Sequence, residues 1–318
     1  MLFDPSSTSL PKRSELPSIE GAPAGAAWFW GKDDELGRLN LLTPARTAAA
    51  AKLIKTGEVV NLDLSADLPN PPMYGREPFK HTIKPLGETG NDDLYEMNTQ
   101  SGSQWDGFRH VGLKHNGKST FYNGITQDDI NNTSKMGIDA WARHGIAGRG
   151  VLLDIWSHTH HSYDPFTSRP ITLAELHACA TAQNTSFQPG DILILRTGWV
   201  SAYHALPPAA RESLGRVKNF AHTFVGVEQT EGMLDFLHDG YFSAVAGDQP
   251  GFECWPPGEV SLHRFLLPLW GVPIGEMWDL ERLAEVCREK GQYAFFFASS
   301  PANVPGGVGS VSNAMAIF

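Results

Sequence analysis

The chain has 318 residues, with 25 Lys and Arg against 35 Asp and Glu, a formal charge of −10. Hydrophobic residues make up 41% and charged ones 19%, which supports a large core and excludes disorder as the default. The acidic balance excludes nucleic acid as a partner, because neutralising phosphates takes clustered Lys and Arg.

No apolar run approaches the roughly 20 residues of a membrane helix. The opening MLFDPSSTSLPKRSELP lacks the basic-then-apolar layout of a secretion signal. Cys179, Cys254 and Cys287 are odd in number and far apart, which suits a reducing compartment. The expectation is a cytoplasmic protein with a small-molecule substrate and no membrane partner. Residues 1–27 read as a polar N-terminal arm and residues 28–318 as a single domain.

In chain order, the first helix is signposted by Thr43 as N-cap, Pro44 at the first helical position, an alanine-rich body to Lys55, and Gly57 as terminator. A strand is predicted at 59–64. Two near-continuous apolar runs, GVLLDIW (150–156) and DILILRT (191–197), read as buried strands. Between them Thr172 and Glu175 form a capping-box pattern that opens a helix to about Ala182. A helix is expected near 227–238, a buried strand at 241–246, a helix capped by Asp279 and running to Lys290, and a strand at 293–299. Strands alternating with helices predict an α/β fold with at least one crossover.

The segment TQSGSQWDGFRHVG (99–112) concentrates side chains able to ligate or move protons: Gln100, Gln104, Asp106 and His110. In an extended chain residues of equal parity share a face, so the four line one wall. Asp106 is an acceptor and candidate ligand, and His110 a candidate general base titrating near neutral pH. The competing reading is a polar edge strand entering a glycine turn. His263 and Glu276, in SLHRFLLPLWGVPIGEMWD, form a second candidate pair, because a carboxylate among apolar segments needs a partner or solvent.

His158, His160 and His161 follow a strand end, where α/β proteins place sites, but histidines grouped in a loop are commonly just solvated. His115 reads as a turn residue, and Asp248 as either a site-orienting group or a turn starter. Trp30, Trp105, Phe108 and Trp255 are candidate substrate-binding aromatics for a planar or polyketide-like ligand. The sequence carries no GxGxxG after a strand, no GxxxxGK[ST], no HExxH, no CxxC and no GxSxG. Dinucleotide, P-loop, zincin, thiol-redox and α/β-hydrolase chemistry therefore lose their usual support, and no nucleotide cofactor is expected.

Across WGKDDELGRLNLLTP, GRGVLLDI, GDILILRTGW, AVAGDQPGFECWPP, LHRFLLPLWGVPIGE and VPGGVGSVSNAMAIF, the chain resembles the cyclase family of metal-dependent hydrolases, of the kynurenine formamidase and isatin hydrolase kind. The family signature HxGTHxDxPxH falls on QSGSQWDGFRH. Gly102, Asp106 and His110 agree with it, while Gln100 and Gln104 stand where the family has two metal-binding histidines, Ser103 replaces Thr and Phe108 replaces Pro.

The resemblance implies a swivelling β/β/α fold, a mixed central sheet with flanking helices, and a homodimer or homotetramer. It implies a divalent metal, Mn or Zn, held by Gln100, Gln104, Asp106, His263 and Glu276, with His110, Asp106 and Glu276 catalytic. Two amide oxygens in place of two imidazoles leave an oxygen-dominated donor set, so the metal is retained in a harder form or lost. The implied activity is hydrolysis of a C–N or C–O bond in a cyclic amide, lactone or aryl-formamide-like molecule, with His110 as general base. A metal-independent cyclase or dehydratase using His110 with Asp106 or Glu276, and a catalytically silent binding protein, stay open beside it.

Overall fold

The computed structural model describes residues 3–7, 9–218 and 221–318. Its frame is a nine-stranded mixed sheet. In spatial order the strands are Val59–Asn61, Ala314–Ile317, Ala294–Ser299, Ile146–Asp154, Ile192–Arg196, Ala244–Gly247, Ile274–Glu276, Gln104–Asp106 and Gly309–Val311. Four central strands, from Ile146–Asp154 to Ile274–Glu276, run parallel, and antiparallel pairs flank them on both sides. Parallel strands are covered on both faces, which explains why Ile192–Arg196 is buried at all five positions.

The strands Gly309–Val311 and Ala314–Ile317 lie near opposite ends of that order, yet only Ser312 and Asn313 separate them in sequence. Three Cα steps span at most about 11 Å, so the sheet has to curl until its two ends meet. Asp63 fastens this seam, accepting the Ala314 amide at 3.1 Å and the Ser312 hydroxyl.

The helices start where the local chemistry directs. Thr43 accepts the Arg46 amide at 3.3 Å ahead of the helix Pro44–Ala51. Thr172 and Glu175 make both bonds of the capping box: the Glu175 amide donates to the Thr172 hydroxyl, and the Thr172 amide to the Glu175 carboxylate. That helix, Leu173–Ala182, is the crossover between two parallel strands. The helix expected from 227 begins at Glu231, because Thr230 caps it, and Gly226–Val227 pairs instead with Pro170–Ile171.

The helix expected after Asp279 spans Glu281–Lys290, with the Asp279 carboxylate accepting the Glu281 amide at 3.2 Å. A hairpin of Lys80–Leu86 and Gly90–Glu96 projects into solvent almost wholly exposed. Among the described residues no helix is long and apolar enough to cross a membrane.

Candidate active site

The strand Gln104–Asp106 lies between Ile274–Glu276 and Gly309–Val311, with Gln104 opposite Glu276. Ser103 prepares its entry: its hydroxyl donates to the Met277 carbonyl and accepts the Leu64 amide at 2.8 Å. Gly107 ends it in a place with no room for a side chain, since a Cβ there would lie 2.3 Å from the Val308 carbonyl oxygen. Period-two alternation puts Gln104 and Asp106 on one face and Trp105 on the other.

His263 arrives from a different architecture. The short helix Leu262–Arg264 widens into a π-helical turn, Phe265–Trp270, that contains Pro268. Wide turns of this kind recur at functional sites. Here one follows directly on the short helix that places His263 against Asp106 and Glu276.

The groups meet closely. His263 Nε2 lies 3.1 Å from Glu276 Oε1 and 3.5 Å from Asp106 Oδ2. Its Nδ1 donates to Glu253, a fully buried carboxylate that also accepts the Ser261 hydroxyl at 3.0 Å. Gln104 donates from Nε2 to Asp106 Oδ1 at 3.2 Å and to Glu276 Oε2 at 2.8 Å. Glu276 Oε1 accepts the Phe252 amide at 2.9 Å. His110 Nε2 stands 3.8 Å from Asp106 Oδ2, with its side chain 24% exposed.

These contacts, a cavity of about 550 Å³, and Tyr74, Arg76, Glu253, Trp255, His263 and Glu276 on its walls define one site. His110 lines the same cavity.

Burial separates the titratable groups. It pushes Glu276 up to about 7, helped by the neighbouring Asp106 charge. Asp106 is equally buried, which works against its charge, but His110 and His263 hold it below the usual carboxylate range. Burial drives His110 below its ordinary value, more strongly than Asp106 lifts it. His263 is the reverse case: burial opposes its cation, yet Glu253, Asp106 and Glu276 together raise it well above the ordinary value. With Nδ1–H spent on Glu253, a bare Nε2 lone pair would face two carboxylates, so a proton or a metal ion has to lie between them.

Ligand atoms of Asp106, His263 and Glu276 lie within 4.8 Å of one another and could hold a metal ion. Asp106 Oδ2 and Gln104 Oε1 are each buried without a hydrogen-bond partner, and at Asp106 Oδ2 this fits an electron-pair acceptor. Gln104 nevertheless turns its N–H toward both carboxylates, so its oxygen would face the ion only after an amide flip. Gln100 stands apart from this network: its amide donates to the Trp105 carbonyl at 3.4 Å and lies against Gly309. The expected single wall of four residues fails at Gln100 because the chain turns before the strand begins at Gln104.

Of the four candidate aromatics, Trp255 alone lines the cavity. Trp105 is fully buried on the opposite face of its strand, where its indole donates to Ser299 and its ring meets Trp278 edge-on. Phe108 is core, packed on Tyr122 and Trp141. Trp30 lines a separate depression beside Trp28 and Asp34.

His158, His160 and His161 sit off the cavity, and His161 stacks on Trp156. His115 occupies a hairpin turn. Asp248 caps a helix, accepting the amides of Thr197, Gly198 and Val200. Glu253, Tyr74 and Arg76 are not among the sequence candidates: Tyr74 and Arg76 lie in a stretch with no motif, and Glu253 lies in a segment that the family resemblance covers without giving it a role. Glu253 sat in PGFECWPP, where a carboxylate between apolar residues was the available signal.

The Cyclase family model matches residues 62–254. A crystal structure described as a novel cyclase is 32% identical, superposes with a TM-score of 0.82, and covers 92% of this chain and 99% of its own. Isatin hydrolase A from Ralstonia solanacearum superposes at 0.57 with 14% identity, over 87% of this chain and 98% of its own. An isatin hydrolase bound to the product analogue thioisatinate gives 0.55 and 14%, over 86% and 95%. At that identity the two hydrolases share the fold. No curated protein matches the sequence.

Proposed function

Because the chain belongs to the cyclase family, we propose that it is an enzyme that hydrolyses a C–N or C–O bond beside a carbonyl in a small cyclic amide, lactone or aryl-formamide-like molecule. The observation that carries this reading is the convergence of His110, His263 and Glu276 on one cavity, with the buried Asp106 within 4 Å of both imidazoles and Gln104 bonded to Glu276 across 172 positions of sequence.

His110, kept neutral at pH 7 by burial, takes a proton from an attacking water. Asp106 stays ionised beside it and steadies the cation that forms. With no ion bound, Glu276, titrating about 7, returns a proton to the departing nitrogen or oxygen; where Glu276 ligates an ion, His110 gives back the proton it took from water. Two carboxylates in one pocket, set apart by their surroundings, are a recurrent way to divide acid and base roles. A divalent ion held by Asp106, His263 and Glu276 would supply Lewis acidity toward the carbonyl oxygen. With one imidazole and two carboxylates that donor set favours manganese over zinc.

The N–H that Gln104 offers to both carboxylates supports a second reading. In it His110, Asp106 and Glu276 carry out cyclisation or dehydration without an ion.

The test is a panel of isatin, aryl formamides and lactones, followed by mass spectrometry with the full chain before and after chelation. Hydrolysis is expected, with His110→Ala slower by roughly 10² or more and its circular dichroism unchanged. Hydrolysis lost to chelator and restored by manganese supports the ion, hydrolysis that survives chelation supports the ion-free site, and a product lighter by one water after chelation supports the second reading. Wild-type turnover in His110→Ala would defeat both.

A further inference from the structure

Hydrolysis beside a carbonyl puts negative charge on the carbonyl oxygen in the transition state, and an enzyme needs a donor placed for that charge. The carboxylates beside the cavity work against it. Asp106 and Glu253 are ionised and buried, and Glu276 titrates about 7. His263, the cation among them, is committed to Glu253, Glu276 and Asp106. The Ser261 hydroxyl is taken by Glu253 and the Gly258 amide by Gln229. Arg76 and Arg264 are the remaining cations on the wall, which also carries Glu259.

The two arginines differ in how they are held. Arg264 is exposed and in no ion pair among the described residues, so water and salt screen its charge. Arg76 is half-buried, also in no ion pair among the described residues, and held by two contacts. One of its N–H groups donates to the Gln100 carbonyl, in the turn that leads into the strand Gln104–Asp106. Its guanidinium carbon lies 5.0 Å from the centre of the Tyr74 ring, within cation–π range.

The backbone sets that ring. Tyr74 has a φ of 63°, in the left-handed region, and Gly75 follows at 68°. A bulky residue keeps such a conformation only where its surroundings enforce it. Here the ring packs edge-on against His222, centres 4.8 Å apart, and against Trp255 at 6.1 Å. A planar fork oriented in advance loses little freedom on meeting an oxygen. The charge of Arg76 also reaches the acid–base groups. Burial and nearer charges dominate each of them, and Arg76 adds a smaller downward pull on Asp106, His110 and Glu276.

We propose that Arg76 is a catalytic residue whose guanidinium meets the substrate's carbonyl oxygen and carries the negative charge that develops there, with Tyr74 and the Gln100 carbonyl as its positioning contacts. The proposal rests on the reading of this cavity as a hydrolytic site. It supplies the charge acceptor that His110, Asp106 and Glu276, as proton carriers, leave out.

The experiment titrates phenylboronic acid into the full chain and reads binding by boron-11 NMR, with benzamide as the neutral, planar comparison. At the site a water adds to boron, its proton passes to His110, and the boron becomes a four-coordinate anion shaped like the hydrolytic transition state. Wild type is expected to hold it in that form. Arg76→Met is expected to weaken it roughly 10²-fold, as loss of an oxyanion donor does, and to leave benzamide binding as it was. Arg76→Lys, which keeps the charge without the fork, is expected to fall between. Guanidinium ion at millimolar concentration is expected to restore part of the affinity of Arg76→Ala, and equal sodium chloride none. Arg264→Met is expected to lose far less than Arg76→Met.

A boronate that stays three-coordinate or does not bind, equal losses in the two Met variants, or a joint fall in boronate and benzamide affinity overturns the proposal. So does an Arg76→Ala protein that guanidinium leaves unchanged. Should Arg76→Met fail to fold, Arg76→Gln, polar and uncharged, takes its place with the same outcomes. Hydrolysis of panel compounds at wild-type kcat in Arg76→Met would sink this inference and leave the function standing. Arg76-dependent boronate binding in a protein that hydrolyses no panel compound would support this inference and defeat the function.

Discussion

At the scale of single residues, the site shows how much one position of alternation decides. Gln104 and Asp106 share a face, and Trp105 between them necessarily takes the other, where it becomes core. The parity that grouped the polar residues already contained this consequence, and the aromatic character of Trp105 obscured it. The contrast with Trp255 is measurable. Trp105→Ala is expected to cost about 3–5 kcal/mol of stability through the cavity it leaves. Trp255→Ala is expected to cost a fraction of that and to raise KM on a hydrolysed panel substrate. Urea unfolding and steady-state kinetics on both variants check the pair, and equal destabilisation would count against the assignment of Trp255 to the cavity wall. Glu253 teaches the other half: its role depends on His263 reaching it from the short helix Leu262–Arg264, and no spacing rule foretells that geometry.

At the scale of elements, what was legible followed from local physics. Thr43, Thr172 and the apolar runs near 150–156 and 191–197 carry their instructions within a few residues, and those helices and strands form there, although the first strand spans Ile146–Asp154 and gives way to a short helix at Ile155, and the first helix ends at Ala51 rather than Lys55. Which strands sit side by side was not legible, because pairing Gln104–Asp106 with Ile274–Glu276 satisfies no local rule. The family resemblance pointed to Asp106, His110, His263 and Glu276, which lie together, and to Gln100, which does not, and it gave no sign of Glu253, Tyr74 or Arg76. One glycine holds the closest of these pairings. In Gly107→Ala the added methyl has to displace the Val308 carbonyl, and with it the strand Gly309–Val311 that flanks Asp106. A loss of about 1–3 kcal/mol is expected, as for an overpacked core, together with a fall in kcat larger than the change in KM. Melting and kinetics measured on the same preparation test it, and full activity in a stable Gly107→Ala protein would contradict the close approach.

At the scale of the whole molecule, acid sensitivity has an identifiable source outside the site. His238 is fully buried, and burial first, then Arg38 and Arg13, pushes its imidazole down to about 2. In the unfolded chain the same group titrates near 6.5. Below 6.5 the unfolded state binds a proton that the native state refuses, so stability falls as pH drops from 6.5 toward 2 and is unaffected by this group above 6.5. The slope approaches about 1.4 kcal/mol per pH unit. His238→Phe is expected to flatten the stability profile between pH 6.5 and 5 relative to wild type, as read by urea unfolding at each pH. Parallel profiles would show that His238 takes up its proton in the folded protein.

The curled sheet has a consequence in time. A ribosome delivers the chain from first residue to last, so Gln104–Asp106 emerges long before either strand that flanks it. Its neighbour carrying Glu276 follows 170 positions after Asp106, and its other neighbour belongs to the segment that also fastens the far side of the seam. At about 5–20 residues per second that interval is on the order of ten to forty seconds. During it Trp105, Asp106 and His110 lack the later strands that bury or partner them. The pocket around Asp106 is therefore completed only when the segment carrying Gly309–Val311 and Ala314–Ile317 docks, the same short ribbon that joins the two ends of the curled sheet.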